Sequence, residues 1–362
     1  MSGKRPSGDR DESGSRGATP ATAREVRPVA YPAGAVGPEH FRVVEAPVRE
    51  PGPGEVLVRN TWTSVDPGLR LRLREASPAG YFPAFPLDAA MDGIMTVGEV
   101  VASRAPGFAA GDTVWHAAGW REYATVRAAE PALGGLGTLA RVDTGLAAPE
   151  RYLGPLGGMG LTAYAGLLAA ELRAGDVVWV SAAAGAVGSI AAQLARLRGH
   201  RVIGSAGSPA KVAHLRDELG LDAAFDHRAA PVAESLRAAA PEGIDVYFDN
   251  VGGDHLEAAL AALRPGGRVA LCGAVARYGD AGAPPGPRNL FQAIANGITL
   301  RGFRGSAHVD RLADMQREVA GLLRDGRLRY RETVVEGLER APEALARALG
   351  GATIGKTLVR LA

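Results

Sequence analysis

Hydrophobic and polar positions divide the chain into two textures. From about Arg24 to Glu150, short alternating runs are broken by turn residues; residues 56–62 follow a Pro-Gly-Pro-Gly turn, and 94–103, 111–115 and 121–126 repeat the pattern. Such runs predict the strands of a compact, barrel-like β-rich domain. From about Tyr152, apolar runs alternate with helical stretches. The predicted strands are 177–182, 201–206, 223–227, 244–251, 267–273 and 298–303, and the predicted helices include 189–198, 210–219 and 256–263. Strands joined by helical crossovers form a doubly wound parallel sheet, so the expected class is α/β. Runs such as Val246-Tyr247-Phe248 suit strands buried on both faces. The expected divisions are a disordered tail at 1–23, a β-rich domain at 24–150 and a nucleotide-type domain at 151–325. Residues 326–362 end in a strand pattern and are expected to return to the first domain.

Composition adds mainly exclusions. A length of 362 residues suits two domains, with 46% hydrophobic and 22% charged residues in the globular range. The net charge is +2, with bases dispersed among acids, so neither nucleic acid nor a membrane is an expected partner. The single cysteine, Cys272, excludes an intrachain disulfide and a four-cysteine zinc site. The seven histidines form no HExxH pair and no cluster at ligand spacing, so no metal is expected. With no run of 18 apolar residues and no secretory h-region, a soluble cytoplasmic protein is expected.

The chemistry is densest where the run 177–180 meets Ser181-Ala182-Ala183-Ala184-Gly185-Ala186-Val187-Gly188. Strand, small-residue turn and helix in that order hold a dinucleotide pyrophosphate on helix N–H groups and the helix dipole. Gly185 and Gly188 occupy two positions of GxGxxG, and Ala183 replaces the first glycine. Ala184, Gly185, Ala186, Val187 and Gly188 are therefore candidate cofactor residues. In an NAD site an acid roughly 20 residues further on bonds the ribose 2′-OH. Here the second strand ends in Gly204-Ser205-Ala206-Gly207-Ser208-Pro209-Ala210-Lys211, without an acid. Ser208 and Lys211 suit a 2′-phosphate, which favours NADP(H).

Further motifs occur in order: Ser64-Val65-Asp66-Pro67, Gly160-Leu161-Thr162-Ala163-Tyr164, Phe248-Asp249-Asn250-Val251-Gly252-Gly253, Cys272-Gly273-Ala274 followed by Tyr278, Pro284-Pro285-Gly286-Pro287, and Gly355-Lys356-Thr357. From about Val26 onward the chain resembles the zinc-free medium-chain dehydrogenase/reductases, in the branch of prostaglandin reductases, alkenal/one oxidoreductases and curcumin reductases. The resemblance implies a Rossmann-type NADP(H) domain beside a GroES-like catalytic domain. It implies metal-independent, NADPH-dependent reduction of the C=C bond of small α,β-unsaturated carbonyl compounds, and a homodimer.

Residue by residue, the resemblance places Tyr278 at the ribose hydroxyl or the enolate oxygen. It assigns Asn250, Cys272, Gly273, Phe303, Arg304 and Thr353 to the cofactor, Lys211 to the 2′-phosphate, and His227 or Arg228 to its flank. Cys272 reads as a small strand residue rather than a nucleophile. Gly68, Met159 and Tyr278 are the expected substrate-pocket residues. Three positions depart from the family pattern. Gly68-Leu69-Arg70 replaces Tyr-Met-Arg, which removes a tyrosine from the substrate side and opens volume there. Gly157-Gly158-Met159-Gly160 lacks a proline, and Thr353 replaces an asparagine. A quinone reductase and a non-catalytic NADP(H)-binding protein are the competing readings.

Overall fold

The structure is a computed structural model and describes residues 19–130, 135–279 and 285–361. Most of the predicted tail, together with Pro284, lies outside them. Thr22 and Ala23, expected in the tail, instead open strand β1 (Thr22–Pro28), which pairs antiparallel with β2 (Phe41–Pro47). Polar residues suit this two-stranded ribbon, because only Val26 and Pro28 of β1 are buried.

The β-rich part continues through β3 (Glu55–Val65), β4 (Thr96–Ser103), β5 (Thr113–His116), β6 (Tyr123–Arg127) and β7 (Ala140–Arg141). Next come α1 (Gly158–Ala169), β8 (Val177–Val180), α2 (Ala186–Leu197), β9 (Arg201–Ala206), α3 (Pro209–Ala213), β10 (Ala223–Asp226), α4 (Val232–Ala239), β11 (Ile244–Asp249), α5 (Gly253–Ala262), β12 (Leu263–Leu271), α6 (Phe291–Ala295) and β13 (Thr299–Gly302). The chain closes with α7 (Leu312–Arg324), β14 (Glu332–Glu336), α8 (Ala341–Leu349) and β15 (Lys356–Arg360).

Two larger sheets organise these elements. One runs β14-β15-β3-β4-β5-β7, with β6 also on β3. The other is parallel throughout, in the order β10-β9-β8-β11-β12-β13. That order reverses direction between β8 and β11, the topological switch point at which doubly wound sheets bind ligands. All four residues of β8 are buried, as strands covered on both faces require. Trp179 of β8 stacks on Tyr247 of β11 at 4.3 Å between ring centroids. The Tyr247 hydroxyl donates to Asp249 at 2.8 Å and is hydrogen-bonded to the Ser181 hydroxyl at 2.9 Å, so the switch point is tied below its surface.

Helix α2 begins three residues earlier than its hydrophobic period suggests, because its first turn consists of the small residues that end the phosphate turn. The strands end sooner than their apolar runs do: β11 stops at Asp249 and β12 at Leu271, where the next N–H groups leave the ladder, Asn250 for the Ser181 hydroxyl and Cys272 and Gly273 for the Asp249 carbonyl. Helix α1 was not predicted. Its residues are apolar on all sides, as befits a helix packed between the two sheets. Strand β15 joins the sheets by pairing with β3, while Gly355 just before it donates to the Ala184 carbonyl at 2.8 Å.

Candidate functional site

A cleft with a cavity of about 480 Å³ opens at the switch point. Its wall collects Ala184, Gly185, Ala186, Val187, Gly188, Lys211, His227, Asn250, Cys272, Gly273, Tyr278 and Thr353, together with Gly68 and Met159. Three expected residues are placed differently. Ser208 caps α3, its side chain accepting from the Lys211 N–H at 3.4 Å. Phe303 packs edge-on against Phe248 and over Gly166. The Arg304 guanidinium donates to the Gly80 carbonyl, on the opposite side of the cleft.

Backbone geometry builds the phosphate turn. Ala182 adopts φ +45°, and the Gly185 N–H folds back to the Ala182 carbonyl at 2.9 Å. A Cβ on Gly188 would stand 2.5 Å from that same carbonyl oxygen, so only glycine fits there. Ala183 differs because its Cβ points into the sheet, 3.1 Å from where a Cβ on Gly204 would lie. A methyl group facing β9 does not obstruct the phosphate side, which explains the alanine in the first glycine position. The Ala186, Val187 and Gly188 N–H groups at the start of the twelve-residue helix α2 have no intrahelical partner, and all three residues line the cleft.

The cationic end is built from Lys211, His227 and Arg228. Burial lowers the Lys211 ammonium from its ordinary range, and the charge of Arg228 lowers it further. His227 is depressed by burial and then by Arg228. These basic groups crowd one another beside a strand end that carries no acid, an arrangement that a phosphate dianion relieves. Lys211 Nζ meanwhile donates to the Gly351 carbonyl at 2.7 Å, which joins this corner to the loop after α8. The residues present thus fit a 2′-phosphorylated dinucleotide.

At the far end of β11, Asp249 accepts from the Val251 and Gly252 N–H groups at 2.9 and 2.8 Å. Burial holds its carboxyl above the ordinary range. Asn250 Nδ2 donates to the Ser181 carbonyl at 2.7 Å, so this amide locks β11 to the phosphate turn as well as bordering the cleft. Burial pushes the Cys272 thiol up to about 12, leaving it protonated and unreactive. Tyr278 follows the short helical turn Val275–Arg277. Its hydroxyl lies over Gly273, where a Cβ would approach within 3.0 Å. Burial raises its phenol, and a backbone hydrogen bond at Ala274 partly opposes that shift. The phenol is therefore neutral and able to donate.

Some contacts in the site carry no local sequence signal. Lys356 and Asp66 form a fully buried ion pair in the cleft wall, and Lys356 Nζ also donates to the Val65 carbonyl at 3.1 Å. Both residues lay in recognised motifs, but their pairing joins two ends of the chain. The open volume expected at Gly68 is absent. The Tyr81 hydroxyl lies 2.6 Å from the point where a Gly68 Cβ would stand. Its loop brings an aromatic side chain against Gly68 from another position in the chain.

Among the described residues, no three His, Cys, Asp or Glu side chains are placed to hold a metal ion, and no helix is long and apolar enough to cross a membrane. Residues 24–132 match the N-terminal domain of oxidoreductase family, and residues 186–321 match the family described as zinc-binding dehydrogenase. The chain is 36% identical to the NADPH-dependent curcumin reductase of Escherichia coli, across 91% of this chain and 94% of that one. It is 35% identical to prostaglandin reductase 1 of Rattus norvegicus, across 85% and 89%. The crystal structure of CurA in complex with NADPH from Vibrio vulnificus superposes with a TM-score of 0.86 at 34% identity, covering 94% of this chain and 99% of that one. With its parallel sheet, phosphate turn and cationic corner, the chain belongs to the zinc-free branch of the medium-chain dehydrogenase/reductases and is an NADP-dependent oxidoreductase.

Proposed function

We propose that the protein reduces the C=C bond of small α,β-unsaturated ketones and aldehydes with NADPH. One observation carries the reading: the phosphate turn, the cationic corner and Tyr278 border a single cleft that ends in an apolar pocket at Met159 and Ile94. Relatives named curcumin reductase and 2-alkenal reductase support the substrate class. Bound NADPH supplies a hydride to the β-carbon and, with a proton added at the α-carbon, the enone becomes a saturated carbonyl compound and NADP⁺ is left. Lys211, His227 and Arg228 hold the 2′-phosphate, and the start of α2 holds the pyrophosphate. Negative charge grows on the substrate carbonyl oxygen, where a neutral phenol in a water-poor cleft stabilises it. Tyr278 is the phenol assigned to that oxygen or to the ribose hydroxyl beside it.

NADPH absorbance followed with a panel of enones, enals and quinones tests the reading. Turnover is expected with enones and enals. Turnover with quinones alone would replace it with a quinone reductase, and binding without any turnover would leave a cofactor-binding protein. Tyr278→Phe is expected to lower kcat by about 100-fold, in line with the loss of one oxyanion donor.

A further inference from the structure

The loop between the β-rich sheet's strands β3 and β4 crosses the cleft and is held on both sides. Within its own half, Arg72 Nε donates to the Pro83 carbonyl at 2.7 Å, and its guanidinium lies 3.8 Å over the buried Phe85 ring. The Tyr31 hydroxyl donates to the Phe85 carbonyl at 2.8 Å. Across the cleft, Arg304 donates to the Gly80 carbonyl, and Arg74 Nη2 donates to the Tyr278 carbonyl at 2.8 Å. These contacts leave Tyr81 little freedom. Its ring tilts against Phe82 at 5.0 Å, and its hydroxyl enters the space that a side chain at position 68 would fill.

From this packing we infer that Tyr81 is a second substrate-facing phenol, which donates a hydrogen bond to the substrate carbonyl oxygen from a place that exists only because residue 68 is glycine. The inference rests on the double-bond reductase reading and adds a donor to it. Among the described residues, no protein group hydrogen-bonds the Tyr81 hydroxyl, and the Tyr278 oxygen accepts from backbone at Ala274 while keeping its own hydrogen to donate. Burial, followed by the nearby Tyr278 and Asp66, raises the Tyr81 phenol, so it stays protonated. The donor role involves no proton transfer: the hydrogen stays on Tyr81 as charge develops on the oxygen. Position 68 and position 81 are thus one coupled choice, in which an aromatic ring reaches the same space from either segment.

The test combines Tyr81→Phe, Gly68→Tyr and the double variant Gly68→Tyr with Tyr81→Ala, assayed with an enone that the wild-type enzyme reduces. Tyr81→Phe keeps the ring and removes only the donor. It is expected to lower kcat about 10-fold or more, with KM and NADPH affinity within about twofold, because the bond strengthens as charge develops. Gly68→Tyr is expected to lose activity by a similar factor through collision with Tyr81. The double variant should recover most of that loss, a coupling that additive defects do not produce. Wild-type kcat in Tyr81→Phe would overturn the donor role, and an unrecovered double variant would overturn the exchange. A wild-type enzyme that reduces no enone would sink the double-bond reading and this inference with it. An active wild type with an indifferent Tyr81→Phe would sink only the inference.

Discussion

The two ends of the cleft are specified in different ways. At the dinucleotide end the decisive elements are backbone: a strained Ala182, a Gly188 that tolerates no Cβ, and the open N–H groups of α2. At the other end they come from distant segments: Gly68, Met159 and Tyr278 line the cleft, the Tyr81 hydroxyl lies against Gly68, and Arg74 and Arg304 tie the two sides together. Backbone geometry recognises the pyrophosphate of the cofactor, which is the same whatever substrate is reduced. Side chains on loops can exchange positions, so that end can change its ligand without disturbing the fold.

The largest expected effect is on stability and compares a buried histidine in each half. His116 in the β-rich sheet is fully buried and lowered to about 3; its Nδ1 accepts from the Ala118 N–H at 3.1 Å while Nε2 faces the Asn60 side-chain oxygen at 3.0 Å. Burial lowers His255, stacked on Trp179, only to about 4. Both folded values lie below the unfolded value, so the unfolded chain binds more protons. Stability is full above pH of about 6.5 and falls as pH drops toward 4, by roughly 3 kcal/mol for His116. Urea unfolding from pH 7.5 to 4 checks this. His116→Gln should flatten the profile more than His255→Gln, and equal flattening would contradict the difference in burial.

Next in size is Gly188→Ala, whose Cβ meets backbone rather than a side chain that could swing aside. NADPH affinity, measured by fluorescence titration, is expected to fall about 100-fold, equivalent to about 2.7 kcal/mol. Lys211→Ala should weaken NADPH about 10-fold and leave NADH nearly unchanged, since only the former carries the 2′-phosphate. Equal loss for both cofactors would show that Lys211 matters through its bond to Gly351 instead. The smallest effect is expected from Ala183→Gly, whose methyl faces the sheet. NADPH affinity should stay within about twofold, with a stability loss of about 1 kcal/mol from added backbone freedom and lost packing.

The same contrast explains what could be read in the sequence. The phosphate turn was legible because its strand, turn and helix are consecutive, and the missing acid after β9 lies only one unit further on. Its alanine at 183 needed the structure, since only the pairing of β8 with β9 shows which way that methyl points. Gly68 was legible as a departure from the family pattern, yet its consequence was misjudged. The vacancy is closed by Tyr81, whose loop carries no periodic signal and whose path is set by arginine contacts across the cleft. Likewise, Asp66 and Lys356 each sat in a motif, but only the antiparallel pairing of β15 with β3 brings them together. Phe303 and Arg304 stood out by resemblance, while their side chains serve packing and the loop clamp. Helix α1 escaped detection because a helix that is apolar nearly all round has no polar face to reveal its period.

The central claim, hydride delivery to a carbon–carbon double bond, is tested most directly with NADPH deuterated at both C4 positions and an enone acceptor. Mass spectrometry and NMR of the product should show a saturated ketone with one deuterium on the β-carbon. Deuterium on the carbonyl carbon of an allylic alcohol, or cofactor binding with no deuterated product from any enone or enal, would contradict it.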